Sequence, residues 1–390
     1  MYLTLAFHQK LSGFPKFQMC LASFQRMTYR LIALTFITSL CLADISISNA
    51  EEPPISIGIL ATLTGDSAAA GANCGDGLDA ARALYAPGDK VDNRKVRFIY
   101  ADSKGQPAVA VSEFQRLASI EKVSAIVSQR SQSTMAISPL ALSMGIPLMG
   151  IAGQSDLIRK NPHAFRSWPP AETEAKKLAE LFPRWKVERV AMVSVEDEYT
   201  LSLRDSLREA LRRYGKKLVF DVTILPSDNE YATIAAQIKQ TNPDLIVCNL
   251  AIPQNGAFVK KLREMGIHTR IMGNFWISLP DFLNTTGREA AEDVAVAIVD
   301  DSAPWLRRAY TQAHINAAPS VLGYTCFVAL AAILQAIERT PVPVDRHSLL
   351  ETLLKTEQIQ LPDQAIALRG REVIFPLLLK RYHGGVMVPF

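Results

Sequence analysis

The chain has 390 residues, which suits two domains better than one, and its 48% hydrophobic and 21% charged residues are ordinary for a globular protein. The formal net charge is only +4, and the basic residues do not cluster into long runs. These features argue against a disordered, repetitive or fibrous protein, and they predict no nucleic acid as a partner.

Residues 1–50 differ in kind from the rest and predict an export signal. From Met27 the sequence reads MTYR, then LIALTFITSLCLA, then a small-residue stretch that ends at Ala50. This order is typical of a cleaved signal peptide, and the apolar run is shorter than the roughly 20 residues of a membrane span. We predict a signal peptide within 1–50, with 1–26 as an upstream extension if translation starts at Met27, and a periplasmic, secreted mature protein. The alternative is an uncleaved N-terminal anchor.

Short apolar runs alternate with longer amphipathic stretches from residue 55 to residue 300. Such runs are typical of buried parallel strands, and the helices between them indicate βαβ units. The predicted strands are 55–61, 96–102, 124–128, 146–151, 189–195, 217–225, 244–250, 269–274 and 293–300. The predicted helices are one from Leu78, 107–123, one from Thr134, 171–182, 201–214, 231–240 and 254–265. The rhythm predicts an α/β fold with two doubly wound parallel-sheet lobes.

A helical pattern follows from Pro304, with predicted helices over 304–317, 320–339 and 345–356 and further strands near 364–390. The helix over 320–339 is apolar on most faces, but polar residues interrupt it and it ends in charge. We therefore predict a buried core helix and not a membrane span.

Hinge crossings between the two lobes are expected where the strand and helix rhythm breaks. They are expected near 167–170, 300–304 and 360–370. The expected lobes are 51–168 plus 302–365 for the N-terminal lobe, and 169–301 plus 366–390 for the C-terminal lobe. Ligands bind at the carboxyl ends of parallel strands in such folds, so the cleft between the lobes is the expected site.

The loops at the strand ends carry the candidate ligand residues. The glycine-rich segment 62–77 suits either an anion at a helix N-terminus or a plain tight turn. Hydroxyl groups at the start of the helix after residue 128 suit either a carboxylate or simple helix capping. The candidates in the loops after the third and fourth strands are Ser131, Ser133, Thr134, Gly153, Gln154 and Ser155.

In order and spacing, these segments resemble the leucine-binding-protein-like, branched-chain amino-acid type of periplasmic binding protein, the extracytoplasmic receptors of ABC importers. The segments that carry the likeness include ISIGILATLTGDSAAAG, RSQSTMAISPLALSMGIPLMGI, AGQSDL and VAMVSVEDEYTLSLRDSLREAL. The likeness covers nearly all of residues 55–340. It implies a type I periplasmic binding protein fold that closes around a small solute and delivers it to an ABC permease and ATPase complex. We expect a monomer with no cofactor, no metal and no enzymatic activity.

The resemblance also implies roles for single residues. Ser131 resembles the serine that holds the ligand carboxylate, and Gly153 and Ser155 resemble positions that bind carboxylate and ammonium groups. Tyr199 resembles an aromatic residue that lines the pocket from the second lobe. Ile252 falls near another usual tyrosine.

The departure from this pattern lies at Phe275 and Trp276. Amino-acid binders of the family usually have an acid there for the ligand ammonium, and a buried ammonium without a partner costs on the order of several kcal/mol. A carboxylate without an amine, or an amide, therefore fits better than an α-amino acid, unless Asp197 or Glu198 supplies the charge. Core packing is the alternative role of both aromatic residues.

Enzyme and disulfide signals are weak. The sequence has no G-x-S-x-G, H-E-x-x-H or Cys-x-x-Cys motif. The odd set of Cys74, Cys248 and Cys326 favours buried free thiols, although one bridge can form. A ligand sensor of the same fold is the first alternative, and a secreted α/β enzyme is the second. A cytoplasmic sensor would lack the export signal.

Overall fold

The computed structural model describes residues 53–65 and 67–390, so the predicted signal segment lies outside the described residues. Within this part of the chain the strands form two sheets. The strands of the first sheet are β1 (Ile55–Ala61), β2 (Lys90–Val91), β3 (Arg94–Asp102), β4 (Ala125–Gln129), β5 (Leu148–Ile151) and β6 (Ala164–Arg166). The second sheet contains β7 (Arg189–Val195), β8 (Lys217–Ile224), β9 (Leu245–Asn249), β10 (Arg270–Gly273) and β11 (Ala295–Val299). The first sheet is completed by β12 (Gln358–Leu361), β13 (Gln364–Arg369) and β14 (Glu372–Val373), and the second by β15 (Leu377–His383) and β16 (Val386–Pro389).

Helices cover both sheets. The first seven in chain order are α1 (Ala68–Tyr85), α2 (Pro107–Gln115), α3 (Ser131–Ser143), α4 (Asp156–Lys160), α5 (Ala171–Ala179), α6 (Leu181–Trp185) and α7 (Glu198–Arg213). The rest are α8 (Tyr231–Thr241), α9 (Gln254–Glu264), α10 (Pro280–Thr286), α11 (Arg288–Ala291), α12 (Pro304–Gln312), α13 (Val321–Arg339) and α14 (Arg346–Leu354). Short 3₁₀ turns lie at Pro87–Asp89 and Phe275–Ser278, and a π turn lies at Arg116–Ile120.

The strand order confirms the predicted α/β class with two doubly wound, mainly parallel sheets. The first sheet runs β12-β13-β14-β6-β5-β4-β1-β3-β2, and the second runs β16-β15-β11-β10-β9-β7-β8. In each parallel core the first strand lies between the next two: β1 lies between β3 and β4, and β7 lies between β8 and β9. This order creates a switch point, from which the connecting helices pass to opposite faces of the sheet. The two switch points are the carboxyl ends of β1 and β4 and of β7 and β9. We call the first sheet with its helices the N-terminal lobe, and the second the C-terminal lobe.

Continuous apolar runs form the central strands because these strands are buried on both faces. All residues of β1, β4, β5, β9 and β11 are buried, whereas β8, at the edge of the second sheet, is largely half-exposed. This is why the sequence pattern located the central strands so closely.

The chain passes between the lobes at 167–170, 300–303 and 374–376. The third crossing corrects the sequence-based boundary, because residues 366–373 pair within the first sheet and do not belong to the C-terminal lobe. β13 pairs with β12, and the Gln335 side chain on α13 exchanges hydrogen bonds of 2.7 and 2.9 Å with the backbone of Gln360. These contacts keep the segment in the N-terminal lobe.

Helix α13 packs along α1 in the core of the N-terminal lobe. Among the described helices it is the one with the length and hydropathy of a membrane span, and 94% of its apolar window is buried in the protein, as predicted for a core helix. The two helices approach closely at Gly77 and Gly323, where a Cβ on Gly77 would lie 1.9 Å from the carbonyl oxygen of Gly323.

The same two helices are joined by a disulfide between Cys74 and Cys326, whose Cα atoms are 5.4 Å apart. The expectation of free thiols is therefore wrong for this pair. The close packing of α1 and α13 brings together two residues that are 252 positions apart, a proximity that their spacing in the sequence does not encode. Cys248 is a buried free thiol, as expected.

Candidate functional site

A cavity lies between the two lobes, at the carboxyl ends of β4, β5 and β7. The empty space between its lining residues is about 370 Å³, a figure that includes the opening to solvent. Residues from both lobes and from the first crossing line it: Gln129, Arg130, Ser131, Ile151, Gly153, Trp168, Asp197, Tyr199, Phe275, Trp276 and Leu322.

Arg130 brings a positive charge into this cavity. It lies between β4 and α3 with φ of 79°, an uncommon angle for a residue other than glycine, and its N–H donates to the carbonyl oxygen of Ile151 at 3.1 Å. Its Nη1 donates to Ser67 Oγ at 2.9 Å, and its guanidinium carbon lies 5.5 Å from the ring centre of Trp276. The side chain is 14% exposed, so the charge is largely shielded from water.

Asp197 faces Arg130 from the other lobe. The Oδ2 atom of Asp197 lies 3.6 Å from Arg130 Nη2, and its Oδ1 accepts a hydrogen bond from the backbone N–H of Tyr199 at 3.0 Å. The Asp197 side chain is 13% exposed. An ion pair therefore bridges the lobes at the edge of the cavity, and both of its members belong to the cavity lining.

An aromatic cluster forms one wall of the cavity, with Phe275 at its centre. The ring centre of Phe275 lies 4.6 Å from that of Trp168, 5.3 Å from that of Tyr199 and 4.5 Å from that of Trp276. The 3₁₀ turn that carries Phe275 and Trp276 is held by Asn274, whose Oδ1 accepts from the N–H of Trp276 and whose Nδ2 donates to Asn249 Oδ1. Asn274 thus holds the backbone of the turn, and Phe275 and Trp276 line the cavity.

A buried carboxyl group supports this wall from behind. Glu174 on α5 accepts hydrogen bonds from the hydroxyl of Tyr199 at 2.7 and 2.8 Å. Burial raises the pKa of Glu174 to about 8, although hydrogen bonds from Tyr199 and from the backbone of Phe275 act in the opposite direction. Burial and the neighbouring Glu174 also raise the pKa of Tyr199 well above its usual value. Glu174 therefore positions the wall without lining the cavity.

Five of the ten residues proposed from the sequence lie around the cavity: Ser131, Gly153, Tyr199, Phe275 and Trp276. Ser131 Oγ accepts from the N–H of Gly153 at 3.1 Å, which ties the two strand-end loops together. Gly153 packs directly on the other lobe, because a Cβ on it would lie only 2.7 Å from the ring of Tyr199.

The other five proposed residues lie elsewhere. Ser133 and Thr134 are fully buried in the first turn of α3, where Thr134 Oγ1 lies 2.9 Å from Ser128 Oγ. Gln154 and Ser155 lie in an outer groove. Ile252, in the loop between β9 and α9, packs against the hydrophobic core.

Gln154 and Ser155 make contacts between the lobes, outside the cavity lining. Gln154 Nε2 lies 3.5 Å from Glu198 Oε2, and Ser155 Oγ lies 3.4 Å from Ser202 Oγ while donating to Glu172. Of Asp197 and Glu198, the two acids that could supply a charge for a ligand ammonium, Asp197 lines the cavity and Glu198 lies in the outer groove.

Sequence reasoning did not propose Arg130, Trp168, Gln129, Ile151 or Leu322. Arg130 carried a usable signal, because it lies two residues after a predicted strand and directly before the hydroxyl run. Trp168 lies within the predicted crossing, where its contact with Phe275 could not be anticipated. The described residues of the glycine-rich segment, 62–65 and 67–77, do not line the cavity, although Ser67 contacts Arg130.

The chemistry of the cavity is that of binding. It offers a shielded cation, a hydroxyl group, a carboxylate and a large aromatic surface, which suit a small anion with an apolar body. In the described part of the chain, no group of three or more His, Cys, Asp and Glu side chains is arranged to hold a metal ion.

The profile of the family described as "Periplasmic binding protein" matches residues 54–373 of this chain. A curated relative is the Leu/Ile/Val-binding protein BraC3 of Rhizobium johnstonii, which is 22% identical over 273 residues, covering 66% of this chain and 69% of that protein.

Solved structures share the whole fold. The branched-chain amino acid transporter substrate-binding protein LivJ of Streptococcus pneumoniae, in complex with isoleucine, has a TM-score of 0.78 and 20% identity, covering 86% of this chain and 98% of that one. A solute-binding protein of an ABC transporter from R. palustris, in complex with benzoate, has a TM-score of 0.77 and 17% identity, covering 86% and 95%. The fold is therefore the leucine-binding-protein-like, type I fold predicted from the sequence. This chain belongs to the periplasmic binding protein family, a family of substrate-binding proteins and not of enzymes.

Proposed function

We propose that this protein captures a small organic carboxylate, aromatic in preference to an α-amino acid, in the cavity between its lobes. The observation that carries the proposal is the shielded guanidinium of Arg130 beside the aromatic wall of Trp168, Phe275 and Trp276. The guanidinium suits a carboxylate, and the rings suit a flat apolar body.

The case against an α-amino acid comes from the ammonium group. Residues 274–276 contain no acid, and Asp197 is the carboxylate among the described lining residues. One oxygen of Asp197 accepts from Tyr199, and the other faces Arg130. An ammonium group in the cavity would compete for an anion that already has partners, and an unpaired buried ammonium costs on the order of several kcal/mol.

A second candidate is an amino acid, which one observation favours. Because Asp197 and Arg130 face each other across the cavity, an amino acid could place its ammonium at Asp197 and its carboxylate at Arg130. The isoleucine complex of S. pneumoniae LivJ supports this candidate, as the benzoate complex of the R. palustris protein supports the first.

We further propose that the protein is extracytoplasmic and delivers its ligand to an ABC importer. The related R. palustris protein is a solute-binding protein of an ABC transporter, S. pneumoniae LivJ is a transporter substrate-binding protein, and the signal segment predicted from residues 1–50 supports export. The disulfide between Cys74 and Cys326 is typical of proteins in an oxidising compartment. Contacts such as those of Gln154 with Glu198 and Ser155 with Ser202 would form as the lobes close.

The test is titration calorimetry on residues 51–390, unfolded and refolded first to remove any ligand carried through purification. The matched ligands are benzoate, benzamide without the charge, cyclohexanecarboxylate without the aromatic ring, and leucine. We expect benzoate to bind most tightly. Tight binding of leucine with no binding of benzoate would reject the first candidate in favour of the second.

Transport has its own test. Cells that lack the gene should lose the uptake of labelled benzoate at low external concentration, and they should regain it with the gene restored. Unchanged uptake combined with benzoate binding would favour a ligand sensor of the same fold.

A further inference from the structure

The indole nitrogen of Trp276 is a buried donor without a protein acceptor. Trp276 is only 5% exposed, and its Nε1 has no hydrogen-bond partner within the described residues. Leaving such a group unpaired costs about 1–3 kcal/mol, so buried donors in native proteins nearly always have a partner, either protein, water or ligand. The Nε1–H of Trp276 is therefore expected to have a partner outside the protein chain.

The ligand cavity is the space in which this partner can lie. Trp276 lines the cavity together with Arg130 and Ser131, and the guanidinium of Arg130 lies over its ring. Because Ser131 Oγ accepts from Gly153, its hydroxyl proton is available to donate in turn. The cavity thus presents three kinds of donor, whereas the carboxylate of Asp197 is already engaged. An excess of donors selects a ligand that is rich in acceptor oxygens.

We infer that Trp276 is a specificity-determining residue whose Nε1–H donates a hydrogen bond to an oxygen of the bound carboxylate ligand. The inference rests on the proposed function, because it needs a carboxylate in the cavity. It adds that the aromatic wall selects polar groups as well as shape. A ligand without an acceptor oxygen near Trp276 would leave the indole nitrogen buried and unpaired, and it would bind more weakly.

The chain offers a matched pair of variants for the test. Trp276→Phe removes the N–H and keeps an aromatic ring in the cavity wall. Trp305→Phe is the control, because Trp305 is 2% exposed, its Nε1 also lacks a partner in the described chain, and it lies on α12 outside the cavity lining. A hydrogen bond to a charged group contributes about 1.5–3 kcal/mol, so Trp276→Phe should weaken benzoate binding roughly tenfold or more. Trp305→Phe should leave it unchanged.

A direct readout separates the lost hydrogen bond from lost packing. The sequence has only four tryptophans, so protein labelled with ¹⁵N at the indole gives a small set of resonances, and Trp276→Phe identifies one of them. We expect saturating benzoate, or its hydroxylated analogue 4-hydroxybenzoate added as a further aromatic carboxylate, to shift the resonance of the Trp276 indole proton downfield. The same ligands should slow the exchange of this proton with water. The Trp305 resonance should stay in place.

The outcomes separate this inference from the proposed function. Binding of benzoate or 4-hydroxybenzoate with no response at the Trp276 N–H, or with full affinity in Trp276→Phe, overturns the inference and leaves the proposed function intact. Failure of every carboxylate in the panel to bind overturns both.

Discussion

Replacement of Arg130 by methionine tests the charge at the centre of the proposed site. The guanidinium lies 3.6 Å from Asp197, so a ligand carboxylate would gain only part of the attraction of an isolated ion pair. The guanidinium is also only 14% exposed, and this shielding from water strengthens the attraction that remains. Hydrogen bonds to charged groups contribute about 1.5–3 kcal/mol, and shielding from water places the expected loss toward the upper part of this range. We expect Arg130→Met to lose about 2–3 kcal/mol of benzoate affinity, a factor of roughly 30 to 150.

The assay is calorimetry with benzoate and benzamide, which differ in charge but little in shape. Arg130→Met should weaken benzoate binding and spare benzamide, and Arg130→Lys should lose less because the cation remains. Asp197→Asn is the opposite control, because it frees the guanidinium and should hold or tighten benzoate binding. Equal affinity of wild type and Arg130→Met for benzoate would refute the reasoning, and Arg130 would then serve only as an ion-pair contact between the lobes.

Three further predictions concern the support of the site. Gly153→Ala should weaken ligand binding about tenfold in the same calorimetry, because the added Cβ would lie 2.7 Å from the ring of Tyr199 and hold the lobes apart. Gly75→Ala is the control and should bind normally, because its Cβ would meet nothing within 4 Å. Because burial raises the pKa of Glu174 from 4.5 to about 8, its contribution to the unfolding free energy is fully present below pH 4.5 and is lost as the pH rises through about 8. Urea unfolding should therefore show that wild type loses stability relative to Glu174→Gln over this window, and parallel pH profiles would contradict the assignment. Cys74→Ser should lower the unfolding free energy by about 2–5 kcal/mol, and reduction of the wild type should reproduce the loss, so an unchanged melting temperature in both would argue against the disulfide.

The strands were predictable because burial on both faces imprints a continuous apolar run. β1 matches its prediction at both ends, and β7 does as well. Helix α2 was less predictable, since the apolar pattern over 107–123 continues while the backbone leaves regular α-helix after Gln115 for a π turn. The side chain of Arg346 donates to the carbonyl oxygens of Ala118 and Val123 at the end of this segment, a tertiary contact that local periodicity does not contain.

The site was half predictable for a related reason. Residues at strand ends could be named from the sequence, but the direction of each side chain depends on the loop that carries it. Ser131 and Ser155 looked equivalent in the sequence, yet Ser131 lines the cavity and Ser155 reaches Glu172 in the outer groove. The partnership of Arg130 with Asp197 joins two lobes, and no local pattern in either segment indicates the other.

The three crossings between the lobes have a consequence for the order in which the protein can fold. Strands β7 to β11 of the second sheet lie within the unbroken stretch 189–299, so this part can assemble as soon as it emerges during synthesis. The N-terminal lobe cannot be completed until residue 373 has been synthesised, because its main core helix, α13, and its last strand, β14, lie late in the chain. We therefore expect nascent chains that end before α13 to hold a folded middle and an unfinished beginning, and to be cut by protease within residues 53–166.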